Sequence, residues 1–132
     1  MGRRPLSAVL LDTHTWAWSL TGDTRLSAGA RGAIAGARGV EVSPISFFEI
    51  AQTVRLGKWP DMAPYVDRLV SLLEQQGGRV AAMQPAICLS GGMMDWGHRD
   101  PFDRLLAATA LHYGYPLISA DTVFDGIVTR IW

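Results

Sequence analysis

Four acidic residues stand at places in the sequence where they could act together. Asp12 and Asp121 each follow a short apolar run that is typical of a buried strand. Glu49 and Asp103 each stand in the first turn of a predicted helix. Because the carboxyl ends of parallel strands meet at one edge of a sheet, we expect all four side chains to face one crevice at that edge.

A cluster of carboxylates predicts a metal site. Carboxylates held close together repel one another, and a protein relieves this by raising their pKa values or by binding a cation. Oxygen ligands, without Cys or His at zinc spacing, favour Mg²⁺ or Mn²⁺. Such an ion activates water and stabilises the charge that develops on a phosphate, which is the chemistry of phosphodiester hydrolysis. The sequence therefore predicts a metal-dependent nuclease, with catalytic and metal-binding roles for Asp12, Glu49, Asp103 and Asp121.

Each of these acids also has a purely structural interpretation. Asp12 could cap the first helix, and Glu49 could complete a capping box that Ser46 begins. Asp103 could complement a helix dipole, and Asp121 could begin an Asx turn. Only the joint placement of the four acids favours the metal site.

Four neighbouring residues have open roles. His14 and His98 could carry protons, or they could be cap or surface groups. Asp100 is the N-cap before Pro101 and could also act as an outer-shell metal residue. Arg104 is the first candidate for contact with a substrate phosphate, with a solvated arginine as the alternative.

The elements that must position these residues alternate between strands and helices. Strands are predicted at 8–11, 40–42, 79–83, 116–119 and 127–131, and helices at 13–20, 28–37, 46–56, 61–76, 85–89 and 100–113, with a loop over 90–99. Right-handed crossovers then give a central parallel sheet of about five strands in a three-layer α/β/α sandwich. The glycine pairs at 77–78 and 91–92 are interpreted as turns, since they lack the Lys-Ser/Thr of a phosphate-binding loop.

Length and composition set the remaining expectations. The 132 residues predict one domain over 1–132, with residues 1–7 as a short tail. Twelve basic residues, eleven of them Arg, balance twelve acids, so the net charge does not indicate a nucleic-acid binder. No window resembles a membrane span or a signal peptide, and Cys88, the single cysteine, predicts a small buried thiol in a cytoplasmic protein.

The motifs resemble those of a known family. The segments LLDTHTW at 10–16, PISFFEIA at 44–51, HRDPFDRLLA at 98–107 and LISAD at 117–121 are similar to the successive motifs of PIN domains, in particular VapC-type toxins. The resemblance extends from Val9 to Trp132 and is most specific over 100–104. It implies a Mg²⁺- or Mn²⁺-dependent ribonuclease, often a homodimer, that a small antitoxin protein inhibits by blocking the active-site groove. The family's acidic quartet falls on Asp12, Glu49, Asp103 and Asp121.

Two alternatives remain at this point. A PIN-like binding module would keep the fold without catalysis, although the acidic quartet is complete. A haloacid-dehalogenase-like phosphatase also begins with Asp after the first strand. That motif demands a second Asp two residues on, where this chain has His14. Catalysis of RNA cleavage separates the three interpretations.

Overall fold

The architecture was analysed in a computed structural model that describes residues 8–132. The predicted tail, residues 1–7, lies outside the described residues. The sheet within this range has five parallel strands in the order β3-β2-β1-β4-β5. The strands are β1 (Val9–Leu11), β2 (Val40–Val42), β3 (Arg79–Val80), β4 (Leu117–Ile118) and β5 (Arg130–Ile131).

Helices cover both faces of the sheet. The α-helices within residues 8–132 are α1 (Thr13–Thr21), α2 (Ala28–Gly36), α3 (Pro44–Arg55), α4 (Leu69–Gln75), α5 (Pro85–Met93) and α6 (Pro101–Tyr113). Two further segments of this range, Pro60–Arg68 and Thr122–Phe124, are 3₁₀ helices. The predicted fold class, a three-layer α/β/α sandwich around a parallel sheet of five strands, is confirmed.

The central strand β1 is buried on both faces. Val9 and Leu11 pack into a cluster with residues of α1 to α4, whereas Leu10 packs into a second cluster with residues of α6. Side chains alternate between the faces of a strand, so a strand covered on both sides reads as a continuous apolar run. This explains why residues 8–11 were recognisable in the sequence as a central strand.

The strand ends that matter for the site are level with one another. Leu11 is the register partner of Val42 in β2 and of Ile118 in β4. The chain leaves β1 for β2 on one side, and β4 pairs on the other side. The crevice between β1 and β4 is therefore the topological switch point, where ligands bind in open α/β sheets.

Two predicted helices differ from the structure. Helix α3 begins at Pro44 with Ser43 as its N-cap, not at Ser46. Proline is tolerated at the first helical position because its missing N–H would have no partner there, so Pro44 starts the helix as well as ending β2. The helix predicted from Asp61 or Met62 is 3₁₀ over Pro60–Arg68 and becomes α-helical only at Leu69.

The fifth helix is longer than predicted. The loop expected from residue 90 is helical as far as Met93, and the glycine pair 91–92 lies inside α5 and not in a turn. Gly91 is buried against α6, where an added Cβ would lie 3.3 Å from the backbone oxygen of Arg104. Close packing of two helices therefore explains a glycine that low helix propensity assigned to a turn. Cys88 on the same helix is exposed, so the prediction of a buried thiol was wrong.

Alanine substitutions at the two glycines of α5 test this packing. Gly92 has open space around its Cα, so Gly92→Ala should raise the free energy of unfolding by about 0.5 kcal/mol through helix propensity. Gly91→Ala should lower it by about 1 kcal/mol, because the new methyl group must push α5 away from α6. Urea unfolding of both variants measures the difference, and equal stabilities would contradict the packing argument.

Candidate active site

The structure brings the four predicted acids together. Asp12, Glu49, Asp103 and Asp121 all line one cavity of about 520 Å³ at the carboxyl edge of the sheet. Asp100 lines the same cavity, and so does the exposed guanidinium of Arg25. The convergence that strand ends and helix starts predicted is thus present, while the chemical role of each acid stays a prediction.

Two of the acids reach the cavity directly from strand ends. Asp12 follows β1 and caps α1, where its Oδ1 accepts a hydrogen bond from the Thr15 amide at 2.8 Å. Asp121 follows β4 and caps a 3₁₀ turn, where its Oδ1 accepts from the Val123 amide at 2.9 Å. The structural interpretations, a helix cap for Asp12 and an Asx turn for Asp121, are therefore both correct. It does not exclude metal binding, because a carboxylate has a second oxygen and more than one lone pair on each.

Helix α6 supplies two acids from its first turn. Asp100 caps the helix, and its Oδ1 accepts hydrogen bonds from the amides of Phe102 and Asp103 at 2.8 and 3.1 Å. Asp103 faces His98, whose Nε2 lies 2.6 Å from Asp103 Oδ2. His98 therefore acts on the site through Asp103, and this contact orients that carboxylate.

Glu49 reaches the cavity from the second turn of α3. The helix starts at Pro44, so the capping box predicted for Ser46 and Glu49 does not form. Ser46 is buried instead, and its hydroxyl lies 2.8 Å from the Thr13 hydroxyl on α1. This contact holds α3 against α1 beside Asp12, so it fixes the position from which Glu49 enters the cavity.

Two of the carboxyl groups in the cavity, those of Glu49 and Asp103, have raised pKa values. Burial is the main cause of the raised pKa of Glu49, and Asp103 and Asp100 add to it, whereas the Thr13 hydroxyl and His14 oppose it. Burial also raises the pKa of Asp103, with the hydrogen bond from His98 acting against it and Asp100 and Asp121 adding to it. Removal of the carboxylates from water is thus the main cause of both shifts, and the neighbouring carboxylates add a smaller contribution.

Basic side chains do not neutralise these carboxylates. Within residues 8–132, no Arg or Lys lies within ion-pair distance of the five acids in the cavity, and His98 on Asp103 is the one contact with a basic side chain. Arg25 pairs with Asp23, at 2.7 Å. A negative cavity with oxygen ligands fits a hard divalent cation.

The described side chains do not form a complete ligand cage. No three Asp, Glu, His or Cys side chains of residues 8–132 are already arranged around one point. Mg²⁺ binds through one or two carboxylates and keeps several waters, so it does not require such a cage. The carboxylate donor set therefore fits a hard divalent cation.

Arg104 makes contacts that neither of its two open roles anticipated. Its guanidinium points into the protein and donates hydrogen bonds to five backbone carbonyls, those of Gly91, Gly92, Met94, Trp96 and His98. The N–H groups of the guanidinium are thus hydrogen-bonded within the chain and are not available for a phosphate. Arg104 ties the segment 91–98 to α6 and so holds His98 beside Asp103.

Sequence reasoning missed Arg25 as a lining residue. It lies in the short loop after α1, which ends at Gly22, and nothing in its sequence neighbourhood points to the cavity. Only the return of this loop to the sheet edge places it there. The other histidine in question, His14, does line the cavity and is exposed.

Comparison with known proteins identifies the class of protein. The family model described as "PIN domain" matches residues 9–128, so the chain belongs to the PIN domain family. Ribonuclease VapC22 of Mycobacterium tuberculosis is 31% identical to it over 117 residues, which are 88% of this chain and 88% of that protein. The resemblance inferred from the motifs is therefore confirmed.

Solved structures agree on the fold. A toxin-antitoxin complex from Klebsiella pneumoniae matches with a TM-score of 0.67 at 17% identity and covers 94% of this chain and 96% of the other. VapBC2 from Rickettsia felis, bound to a DNA fragment from its promoter, matches with a TM-score of 0.65 at 11% identity, over 93% and 96% of the two chains. None of the helices in residues 8–132 has the length and apolar character that crossing a bilayer requires.

Replacing Arg104 tests its assignment as a positioning residue. Lysine keeps the charge but cannot reach five carbonyls, so Arg104→Lys should lower the free energy of unfolding by about 2 kcal/mol. Arg99→Lys, at an exposed position nearby, is the matched control and should change stability by less than about 0.5 kcal/mol. Unchanged stability of Arg104→Lys in chemical denaturation would return Arg104 to the list of substrate contacts.

Proposed function

We propose that this protein is a VapC-type toxin, a metal-dependent endoribonuclease that hydrolyses RNA phosphodiester bonds. The observation that carries the proposal is the convergence of Asp12, Glu49, Asp103 and Asp121 in one cavity at the topological switch point. The family assignment and the ribonuclease relative support it.

The residues that would hold Mg²⁺ or Mn²⁺ are these four acids. The bound ion would supply a Lewis acid that lowers the pKa of a water molecule and stabilises negative charge on the phosphate. The protein's own contacts position the four acids. Asp12 and Asp121 are fixed by their own caps, Glu49 by the contact of α3 with α1, and Asp103 by His98.

The raised pKa values are consistent with this role. Ionised Glu49 and Asp103 are disfavoured in the metal-free protein because they are partly buried beside other carboxylates. A divalent cation removes that penalty, so the cost of assembling the acids becomes affinity for the ion. Asp100, the N-cap of α6, would act as an outer-shell residue that orients water near the ion.

The partners follow from the same proposal. The substrate is RNA, and the protein partner is a cognate antitoxin, which the similarity to toxin-antitoxin complexes supports. Blocking of the cavity by that antitoxin is what the family resemblance implies. We place the reaction in the cytoplasm, where RNA is available. The homodimer that the resemblance implies stays a prediction, and so does the single domain over residues 1–132.

The rival interpretation is a PIN-like binding module without activity. It keeps the fold and the antitoxin contact but predicts no metal-dependent cleavage by the wild-type protein. Family membership leaves the dehalogenase-like phosphatase without support. A cleavage assay on a total RNA pool, with Mn²⁺ and with a chelator, separates the ribonuclease from the binding module.

Asp103→Asn should abolish RNA cleavage and leave the metal-free protein at least as stable. The folded-state pKa of Asp103 is raised, so its ionised form costs stability at neutral pH, and that cost disappears as the pH falls below the unfolded-state value. The neutral amide removes the cost. Asp67→Asn, an exposed acid outside the cavity, is the matched control and should cleave at the wild-type rate. Wild-type cleavage by Asp103→Asn would refute the assignment.

Metal binding should stabilise the folded protein. Mn²⁺ at about one hundred times its Kd should raise the free energy of unfolding by about 2.7 kcal/mol, because it binds the folded cavity and not the unfolded chain. Thermal melts with Mn²⁺ and with excess chelator measure this shift. Asp103→Asn should lose most of it, whereas Asp67→Asn should keep it. A shift of equal size in all three proteins would place the ion elsewhere.

A further inference from the structure

A second cavity opens from the acidic one. It has a volume of about 290 Å³ and shares His14, Trp18, Arg25 and Glu49 with the acidic cavity. Trp59 and Lys58 complete its near wall. We call it the outer cavity. Since the two cavities share lining residues, a linear polymer bound in one can extend into the other.

Three aromatic rings give the outer cavity its character. The imidazole of His14 stacks on Trp59, with ring centroids 4.7 Å apart and 28° between the planes. Trp18 is tilted against the same imidazole at 5.8 Å. Both indoles are half-buried and pack on the apolar core, whereas His14 is exposed. The rings are therefore held in place from behind, so a planar ligand would bind them at little entropic cost.

The charge changes between the two cavities. Five carboxylates and one guanidinium line the acidic cavity. In the outer cavity Arg25 and Lys58 stand against Glu49 and Asp61, so the formal charges balance. Arg25 is also paired with Asp23 and lies 5.2 Å from the Trp18 ring, whereas Lys58 makes no ion pair within residues 8–132. A neutral planar group with a phosphate near Lys58 fits this distribution better than an anion alone.

We propose that the outer cavity binds an unpaired nucleobase of the RNA, next to the phosphodiester that the acidic cavity cleaves. The base stacks on the aromatic cluster of His14, Trp18 and Trp59, and Lys58 contacts the adjoining phosphate. This proposal rests on the proposed function and adds to it a base-binding site beside the bond that is cleaved. Stacking accepts every base, since each has a π-face, and it requires that the base be free of a duplex.

An apolar side chain of a protein partner is the competing occupant. The continuity with the acidic cavity favours the nucleotide. The base that adjoins the cleaved phosphodiester must lie beside the acidic cavity, and the outer cavity occupies such a position. The free Lys58 also suits a phosphate and not an apolar side chain. If a protein side chain occupies the outer cavity instead, substitution of the cavity's aromatic residues will not affect the affinity for RNA.

The test measures RNA binding without cleavage. Fluorescence anisotropy with a labelled single-stranded RNA oligonucleotide and excess chelator gives Kd for wild type, Trp59→Leu, Trp59→Phe and Tyr113→Leu. Trp59→Leu should raise Kd about tenfold, which lies within the range measured when one stacked base loses its aromatic side chain. Trp59→Phe should keep Kd within about threefold of the wild-type value. Tyr113 is a half-buried, stacked aromatic outside both cavities, so Tyr113→Leu should leave Kd unchanged.

A second arm needs no protein variant. Abasic nucleotides placed one at a time along the oligonucleotide should weaken wild-type binding about tenfold at one position, and the duplex form should bind far more weakly than the single strand. Equal Kd for wild type and Trp59→Leu, or no sensitive abasic position, would overturn the inference. So would a wild-type protein that binds no RNA.

The two proposals can fail separately. Binding that depends on Trp59 and on one base, without Mn²⁺-dependent cleavage, would keep the nucleobase site and reject the ribonuclease. Cleavage by the wild-type protein that is indifferent to Trp59 and to every base would keep the ribonuclease and reject the nucleobase site.

Discussion

Repulsion between carboxylates at one sheet edge is the constraint on which the rest of this structure depends. Strands β1, β2 and β4 end level with one another, and the chain turns into a helix or a short 3₁₀ segment directly after each of them. Side chains that follow these strands must therefore share one crevice. Burial beside other carboxylates disfavours the ionised forms of Glu49 and Asp103, and the buried strands behind them supply stability that offsets this cost.

The same acids serve the backbone and the site. Asp12, Asp100 and Asp121 each use Oδ1 to cap the element that follows them. A cap fixes the rotamer of the carboxylate, so the cavity is lined by side chains that are already oriented. The structural and functional interpretations of these residues, which compete in the sequence, are thus compatible in three dimensions.

Arg104, next to Asp103 in the sequence, affects the site only indirectly. Arg104 gathers five carbonyls of the segment 91–98, and His98 at the end of that segment reaches Asp103. The hydrogen bond from His98 opposes the rise in the pKa of Asp103 that burial causes. A half-buried guanidinium therefore influences the site through the backbone segment to which it is hydrogen-bonded. Turning outward to contact a phosphate would cost Arg104 these hydrogen bonds.

The sequence by itself determined the layered fold, the central position of residues 8–11 and the convergence of the four acids at one sheet edge. Burial on both faces of a strand and the residues that end strands and start helices are local signals. It could not determine what a side chain faces. The helical Gly91, the exposed Cys88 and the inward guanidinium of Arg104 were decided by packing between distant segments. The aromatic wall of the outer cavity was equally hidden, since His14 and Trp59 meet only when the 3₁₀ helix folds back over α1. Periodicity and capping act over a few residues, whereas a cavity is made by elements that the sheet brings together.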